Sequence, residues 1–305
     1  MLILLSTALA DDVLVGGAID LAGGSDLGGD SGVGLGLRQV EGDLRIEGQS
    51  VAVELQLDAA AVLSGDGLFI YSLGPERLVG EGFGKGWRLA GGVYPAPFRM
   101  ESVDPWRNAL VTPSLVSRRL PGAMLGGELT LGSPVASVVL VAGGQPATTN
   151  VFDFDQIGPM PFLAGARGEL DVEVVELGLG AWAGGINGAP FGGLEAGARL
   201  DLLIVGAEAE LVTNLQSDHA LSLQGEIWPD GLFSPVTRVE FASEGLGVAV
   251  GASSTIAEIV KLKAEASYQA GNAGVYLEAA VFSKWPGDDT PRAGDSGRSR
   301  GRQED

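Results

Sequence analysis

Between residues 260 and 270 apolar and polar side chains alternate without a break. Val260, Leu262, Ala264, Ala266, Tyr268 and Ala270 share one parity, and Lys261, Lys263, Glu265, Ser267 and Gln269 share the other. Successive side chains of an extended chain point to opposite faces, so the run predicts a strand with one oily and one ionic side. About ten residues at ~3.3 Å each, laid at a tilt, cross a bilayer's hydrocarbon layer, and they outrun the ~5–6 residues of an ordinary soluble strand. Gly271 and Asn272 follow as a turn signal.

The same design recurs along the chain. Strands are predicted over residues 13–21, 33–47, 50–60, 68–79 and 87–94, with a glycine turn at 80–86 between the last two. They resume at 123–131, 134–141, 162–172, 174–184, 193–203 and 205–213. Five more follow at 220–228, 233–242, 246–254, 260–270 and 275–285. Within 193–213 the polar parity slips, because Arg199 and Asp201 are odd whereas Glu208 and Glu210 are even. One continuous strand cannot do that, so a tight turn or bulge is expected near residues 204–206.

Residues 95–121 break the pattern. Pro95, Pro97, Pro105 and Pro113 interrupt them before the closing Pro121, and the segment reads as a long loop with a short helical turn near 103–110. Long loops inside compact folds are usually functional or disordered. A second loop is expected over 143–159. The tally is ~16 strands, and about 17 residues per strand plus turn gives the same figure. Boundary uncertainty keeps the expected number within about 12–18.

Composition narrows the fold class. The 305 residues hold 49 glycines and carry a formal net charge of −20, yet the mean hydropathy is positive at +0.23. These coexist most easily when apolar side chains face lipid and charges face water inside a wall, so the expectation is an all-β, antiparallel transmembrane β-barrel with an inward-folded loop. A soluble β-sandwich is the competing arrangement, since it too alternates. No run of 18 or more apolar residues exists, which leaves a closed barrel as the only way to span a membrane. Absence of cysteine removes disulfides and thiolate metal sites. The acidic balance disfavours nucleic acid as a partner.

Residues 1–10, ending Ala8-Leu9-Ala10 before two aspartates, read as the end of a secretory signal. The segment is short and lacks a Lys or Arg region, so the true start is expected upstream; the alternative is a first strand beginning at Leu2. Residues 11–285 are assigned to the barrel. Residues 286–305 form a polar, mixed-charge tail expected to be disordered. Phe282 and Trp285 are expected to finish the last strand at a membrane interface.

No catalytic, cofactor or metal site emerges. Asp218, His219 and Ser222 are triad residue types, but neighbours in sequence are not a triad, and no strand-turn-helix elbow presents the serine. The glycines of 80–86 lack the spacing, the Ser/Thr after Lys85 and the helix of a phosphate loop. The informative set is the polar face of the strands: Glu54, Gln56, Asp58, Arg199, Asp201, Glu208, Glu210, Lys261, Lys263 and Glu265 are expected to line a hydrated lumen. Arg167, Glu169, Asp171, Gln224, Glu226, Arg238 and Glu240 share that face. On the lipid side each Arg or Lys near the midplane would cost ~2–4 kcal/mol.

One stretch resembles a known group. Gly91-Gly-Val-Tyr-Pro-Ala-Pro-Phe-Arg-Met-Glu101, then Asp104-Pro-Trp-Arg-Asn108, then Arg118-Arg-Leu-Pro-Gly122 leading to Gly126-Gly-Glu-Leu129, look like the strand, inward loop and return strand of Gram-negative outer-membrane porins of the phosphate-selective (O/P-like) superfamily. The resemblance implies a 16-stranded barrel, often a homotrimer, with a loop folded into the pore. It also implies passive diffusion of small hydrophilic solutes as the function, with membrane lipid and lipopolysaccharide as surroundings. Carried onto this chain it makes Arg99, Glu101, Asp104, Arg107, Arg118 and Arg119 candidates for the constriction, where rings of charge set ion preference. Two departures stand out: the polar face is not rich in Lys or Arg, and aromatics make up only 6%. The first sets phosphate selectivity aside and favours a weak preference for cations. A non-channel barrel, serving as a structural or adhesion protein, is the alternative; there 8–10 strands plugged by side chains would be expected.

Overall fold

A computed structural model describes residues 12–26, 33–64, 67–98, 100, 108–133, 135–144, 161–186, 189–215, 218–229, 232–256, 259–269 and 271–283. The expected signal segment 1–10 and the tail 286–305 lie outside the described residues, as do Trp285 and most of the 143–159 loop.

Sixteen strands run in chain order: β1 (Asp12–Asp26), β2 (Val33–Glu47), β3 (Val51–Ser64), β4 (Gly67–Gly84), β5 (Trp87–Pro95), β6 (Ala123–Gly132), β7 (Ala136–Gly144) and β8 (Phe162–Val172). The second half comprises β9 (Val175–Ile186), β10 (Ala189–Asp201), β11 (Val205–Asn214), β12 (His219–Ile227), β13 (Ser234–Ala242), β14 (Gly245–Ile256), β15 (Val260–Gln269) and β16 (Asn272–Ser283). Each pairs antiparallel with its neighbours in sequence, and β1 pairs with β16, so one sheet closes on itself. Closure leaves no strand edge unpaired. It also removes the sandwich alternative, which needs two stacked sheets.

The alternation decides which side faces where. Each of the sixteen strands contributes a large apolar side chain to the outer surface, from Val13 on β1 through Leu179 on β9 and Leu194 on β10 to Leu277 on β16. Among the strand residues whose burial is described no Lys, Arg, Asp or Glu is in the exposed class; the exposed ones stand in turns (Lys85, Glu173, Glu244) or on the loop (Arg118). The inner face carries the charges. Such a wall, oily outside and ionic inside, is stable against lipid and not against water.

Both chain ends described, and the connections β2–β3, β4–β5, β6–β7 and onward in alternation, lie at one rim, here the terminus rim. The other is the loop rim. Exposed aromatics mark both: Trp87, Trp228 and Phe233 near the terminus rim, Phe162, Phe241 and Tyr268 near the loop rim. From Phe233 to Phe241 along β13 is about 26 Å at ~3.3 Å per residue, or about 20 Å of height at a tilt of ~40°.

Two local readings change. The glycines at 80, 82 and 84 belong to β4, and the turn is only Lys85–Gly86. At Gly84 the missing side chain is filled from across the ladder, since an added Cβ would stand 2.6 Å from the Trp87 ring. Phe282 shares the inward parity of β16 and packs on Ala18 and Ala280, so it does not mark the outer interface. The parity slip, in contrast, is a turn: β10 ends at Asp201, β11 starts at Val205, and Asp201 pairs with Gly206.

Candidate functional site

The chain leaves β5 at Pro95 and turns into the barrel before returning at Ala123. Arg99, Glu101, Asp104 and Arg107, four of the six constriction candidates, lie outside the described residues, as does most of the helical turn expected at 103–110. The described parts of the loop form two limbs, and the wall grips each one. Among the described residues of the loop, a 3-10 turn stands at Ser117–Arg119.

The first limb, residues 95–98 and 100, lies against β8–β11. Arg167 donates through Nη1 to the Pro97 carbonyl (2.8 Å). Arg199 donates through Nη2 to the Met100 carbonyl (2.6 Å), while the Met100 N–H donates to Glu210 Oε1 (2.9 Å). The wall beneath is hollowed by glycine. A Cβ at Gly165 would come within 2.5 Å of Phe98 Cζ, and one at Gly180 within 3.0 Å of Phe98 Cδ1. Gly197 likewise makes room for the Met100 side chain. Phe98 settles into this niche against Trp182, ring centroids 5.2 Å apart at 40°, a tilted geometry that aromatic quadrupoles favour.

The second limb, residues 108–120, lies against β13–β15. Glu265 accepts from the N–H groups of Val111 (2.6 Å) and Thr112 (2.9 Å) and from the Thr112 hydroxyl. Glu240 accepts from the Leu115 N–H (2.6 Å). Arg238 donates to the Thr112 carbonyl (2.8 Å). From β2, three strands beyond β15 around the wall, Arg38 donates to the Val111 carbonyl (2.8 Å). Arg38 can do so because the β2–β3 register shifts between Leu37 and Val40, and such a bulge re-aims a side chain. Arg118 and Arg119 tie the limb to the loop rim. Arg118 donates to Gln269 Oε1 (2.9 Å), and Arg119 pairs with Asp218 (3.0 Å) and with Glu244. The Ser243 hydroxyl and Arg119 together hold the Asp218 carboxyl below the usual carboxylate range.

Above the polar grip the interior is dry. Phe98, Leu115, Val116 and Leu120 from the loop pack with inward-facing Tyr94, Met124, Val139, Val141, Leu163 and Trp182. The polar residues expected to line the lumen thus share the inner face with an apolar cluster. The inner positions near the loop rim on β5–β9 are apolar because the loop, and not water, covers them.

Further charges pair across the inner face. Arg45 reaches Glu47 (3.0 Å), Glu54 (3.0 Å) and Glu81 (3.1 Å), and Arg77 shares Glu54 (3.2 Å). Arg88 pairs with Glu128 (2.5 Å), and Arg199 is clasped by Glu176 (3.0 Å) and Glu208 (2.6 Å). Glu278 takes both Arg38 (2.7 Å) and Lys263. Gln56 and Glu210 are buried on the same face, with Asp58, Asp201 and Lys261 half-buried. Burial here is deep: Glu54 is 1%, Arg238 1%, Lys263 4% and Glu265 3% exposed. The expected hydrated lumen is therefore narrowed at mid-height by side chains and loop. Groups reaching water, such as Glu169, Glu176 and Glu208, stand toward the terminus rim.

Nothing assembles as a catalytic centre around His219. His219 is exposed on the outward parity of β12, whereas Ser222 is buried on the inward parity, so the wall separates them. Among the described residues no three or more His, Asp or Glu side chains stand close enough to hold a metal ion.

No family model and no curated protein matches the sequence. Solved structures do match in fold. Two variants of the Rh. blastica porin superpose with TM-scores of 0.61 and 0.62, each at 11% identity over 89% of this chain and 100% of theirs. A loop-deleted form of OmpT, an outer membrane protein of Vibrio cholerae, gives a TM-score of 0.59 at 11% identity over 89% of this chain and 99% of its own. The likeness is one of porin-type barrel architecture.

Proposed function

We propose that this chain is a porin of the Gram-negative outer membrane, passing small hydrophilic solutes or ions by passive diffusion and preferring cations weakly. The observation that carries the reading is the combination of a closed sixteen-strand wall with charges confined to its inside and a loop lashed across the interior. Sixteen strands enclose more space than wall side chains fill, and a loop held at mid-height sets the bore. Carboxylates outnumber cations on the inner face, which favours cations and disfavours phosphate. The resemblance to the phosphate-selective superfamily thus extends to architecture and not to selectivity. A homotrimer, implied by the same resemblance, and contact with lipopolysaccharide belong to this proposal. Catalysis does not.

Planar-bilayer recording tests it. Discrete conductance steps are expected, with a reversal potential in a salt gradient displaced toward cations. A second reading, a plugged barrel acting as a structural or adhesion protein, draws on the deep burial of the mid-height charges. It predicts no steps at all, and anion selectivity would contradict the assignment of the inner face.

A further inference from the structure

The turns of the terminus rim are of two kinds. On β2–β3 and β4–β5 they are Gly48, Gln49 and Ser50, and Lys85 with Gly86; on β6–β7, Val135 is the one large apolar side chain described. On the arc from β8 to β15 all four carry large apolar side chains in water-exposed positions. These are Val174 (44%), Leu203 (93%), Ile204 (55%), Trp228 (54%), Leu232 (78%) and Ile259 (45%). Glu173 is the charge among the described residues of those four connections, and the sequence adds Asp230 and Glu258. Turn chemistry favours Gly, Asn and Asp, above all where φ is positive. Trp228 nevertheless holds φ 51, a left-handed position where a bulky side chain is rare.

These side chains are not marooned. They continue the oily outer wall beyond the strand ends, through Val172, Leu202, Ile227, Phe233 and Ile256, so on this arc the apolar band reaches past the turns, whereas on the β2–β5 arc it stops at polar tips. Water is a costly neighbour for so much contiguous apolar surface. We infer that the β8–β15 turns of the terminus rim are sunk into the lipid leaflet, the barrel leaning toward this arc. The occupant is lipid because the patch is continuous with the oily outer wall, and tilt is the ordinary response to a band of unequal height. The inference rests on the membrane reading of the barrel.

The chain has no cysteine, so one introduced thiol is a unique site for an environment-sensitive fluorophore. Leu203→Cys and Leu232→Cys probe the apolar arc, Gln49→Cys the polar arc, and Leu179→Cys the outer wall. The full chain is reconstituted in phosphatidylcholine vesicles with or without doxyl-labelled phosphatidylcholine, and quenching by the doxyl lipid is compared with quenching by aqueous iodide. The expected result is blue-shifted emission at 203 and 232, lipid quenching comparable to 179 and several-fold greater than at 49, and protection from iodide. Iodide quenching at 203 and 232 with none from lipid, while 179 is quenched by lipid, overturns the inference and leaves the membrane reading standing. Shielding from both quenchers overturns it in favour of contact between copies. Absence of lipid quenching at 179 as well overturns the membrane reading itself.

Discussion

Glu265→Ala isolates the grip on the second limb. The carboxylate accepts from two main-chain N–H groups, of Val111 and Thr112, and from the Thr112 hydroxyl, and it is only 3% exposed. Hydrogen bonds to a charged acceptor contribute ~1.5–3 kcal/mol each, and a buried donor left without a partner costs ~1–3 kcal/mol. The Arg238 and Arg38 contacts to the same stretch survive, so the limb should lose about 2–4 kcal/mol and not the full sum. At about 1.4 kcal/mol per factor of ten, amide hydrogen exchange at Val111 and Thr112 should quicken by about 30- to 1,000-fold. Leu115, held independently by Glu240, is the internal control and should change far less, and the strand amides should not change. Exchange at Val111 and Thr112 that matches the parent protein would refute the reasoning, since the limb would then be held by something other than its wall contacts.

Phe98→Ala should cost ~3–5 kcal/mol of local packing by emptying the niche over Gly165 and Gly180, read as protease sensitivity of the loop with the barrel still resisting denaturation on gels. Gly180→Val approaches the same seat from below, and because its Cβ would press on Phe98 the first limb should be displaced and single-channel conductance altered. On the outer wall Leu179→Arg should lose ~2–4 kcal/mol of stability in vesicles relative to Leu179→Ala, seen as a lower midpoint in denaturant titration of the reconstituted barrel. Asp218 is held below an ordinary aspartate, first by the Ser243 hydroxyl and then by Arg119. Its contribution should be fully present above the unfolded value of ~3.9 and vanish as pH falls through the lower folded one. The carboxyl carbon shift of Asp218 should accordingly titrate below ~3.9, and a midpoint at or above it would contradict the contact.

Much of the wall was legible from parity alone. The alternation in β15 put Lys263 and Glu265 inside and Leu262 outside, and the slip between Asp201 and Glu208 located a turn to within a residue or two. Period-two reasoning fails where both faces are oily. In β7, Val138 and Leu140 face outward while Val139 and Val141 are buried under the loop; a run apolar at every position was the available sign that something other than water covered its inner side. The roles of Glu240 and Glu265 were hidden for a different reason. Each shares the polar parity of its strand, but acceptance of a loop N–H depends on a partner 125 or 154 residues away in sequence. Arg38 escaped because a bulge shifts its phase. The glycines beneath Phe98 carry no signal until the ring they accommodate is in place.

The wall holds the loop chiefly by its main chain: the Pro97 carbonyl, both polar atoms of Met100, both of Val111 and of Thr112, and the Leu115 N–H. Every amino acid except proline offers that same pair of handles, so the anchorage is largely indifferent to which side chains the loop carries at those points. Mutations could therefore retune the interior over generations without unseating the segment. A protein engineer has the same latitude, and could rewrite the exposed Pro113 while leaving the fasteners in the barrel as they stand.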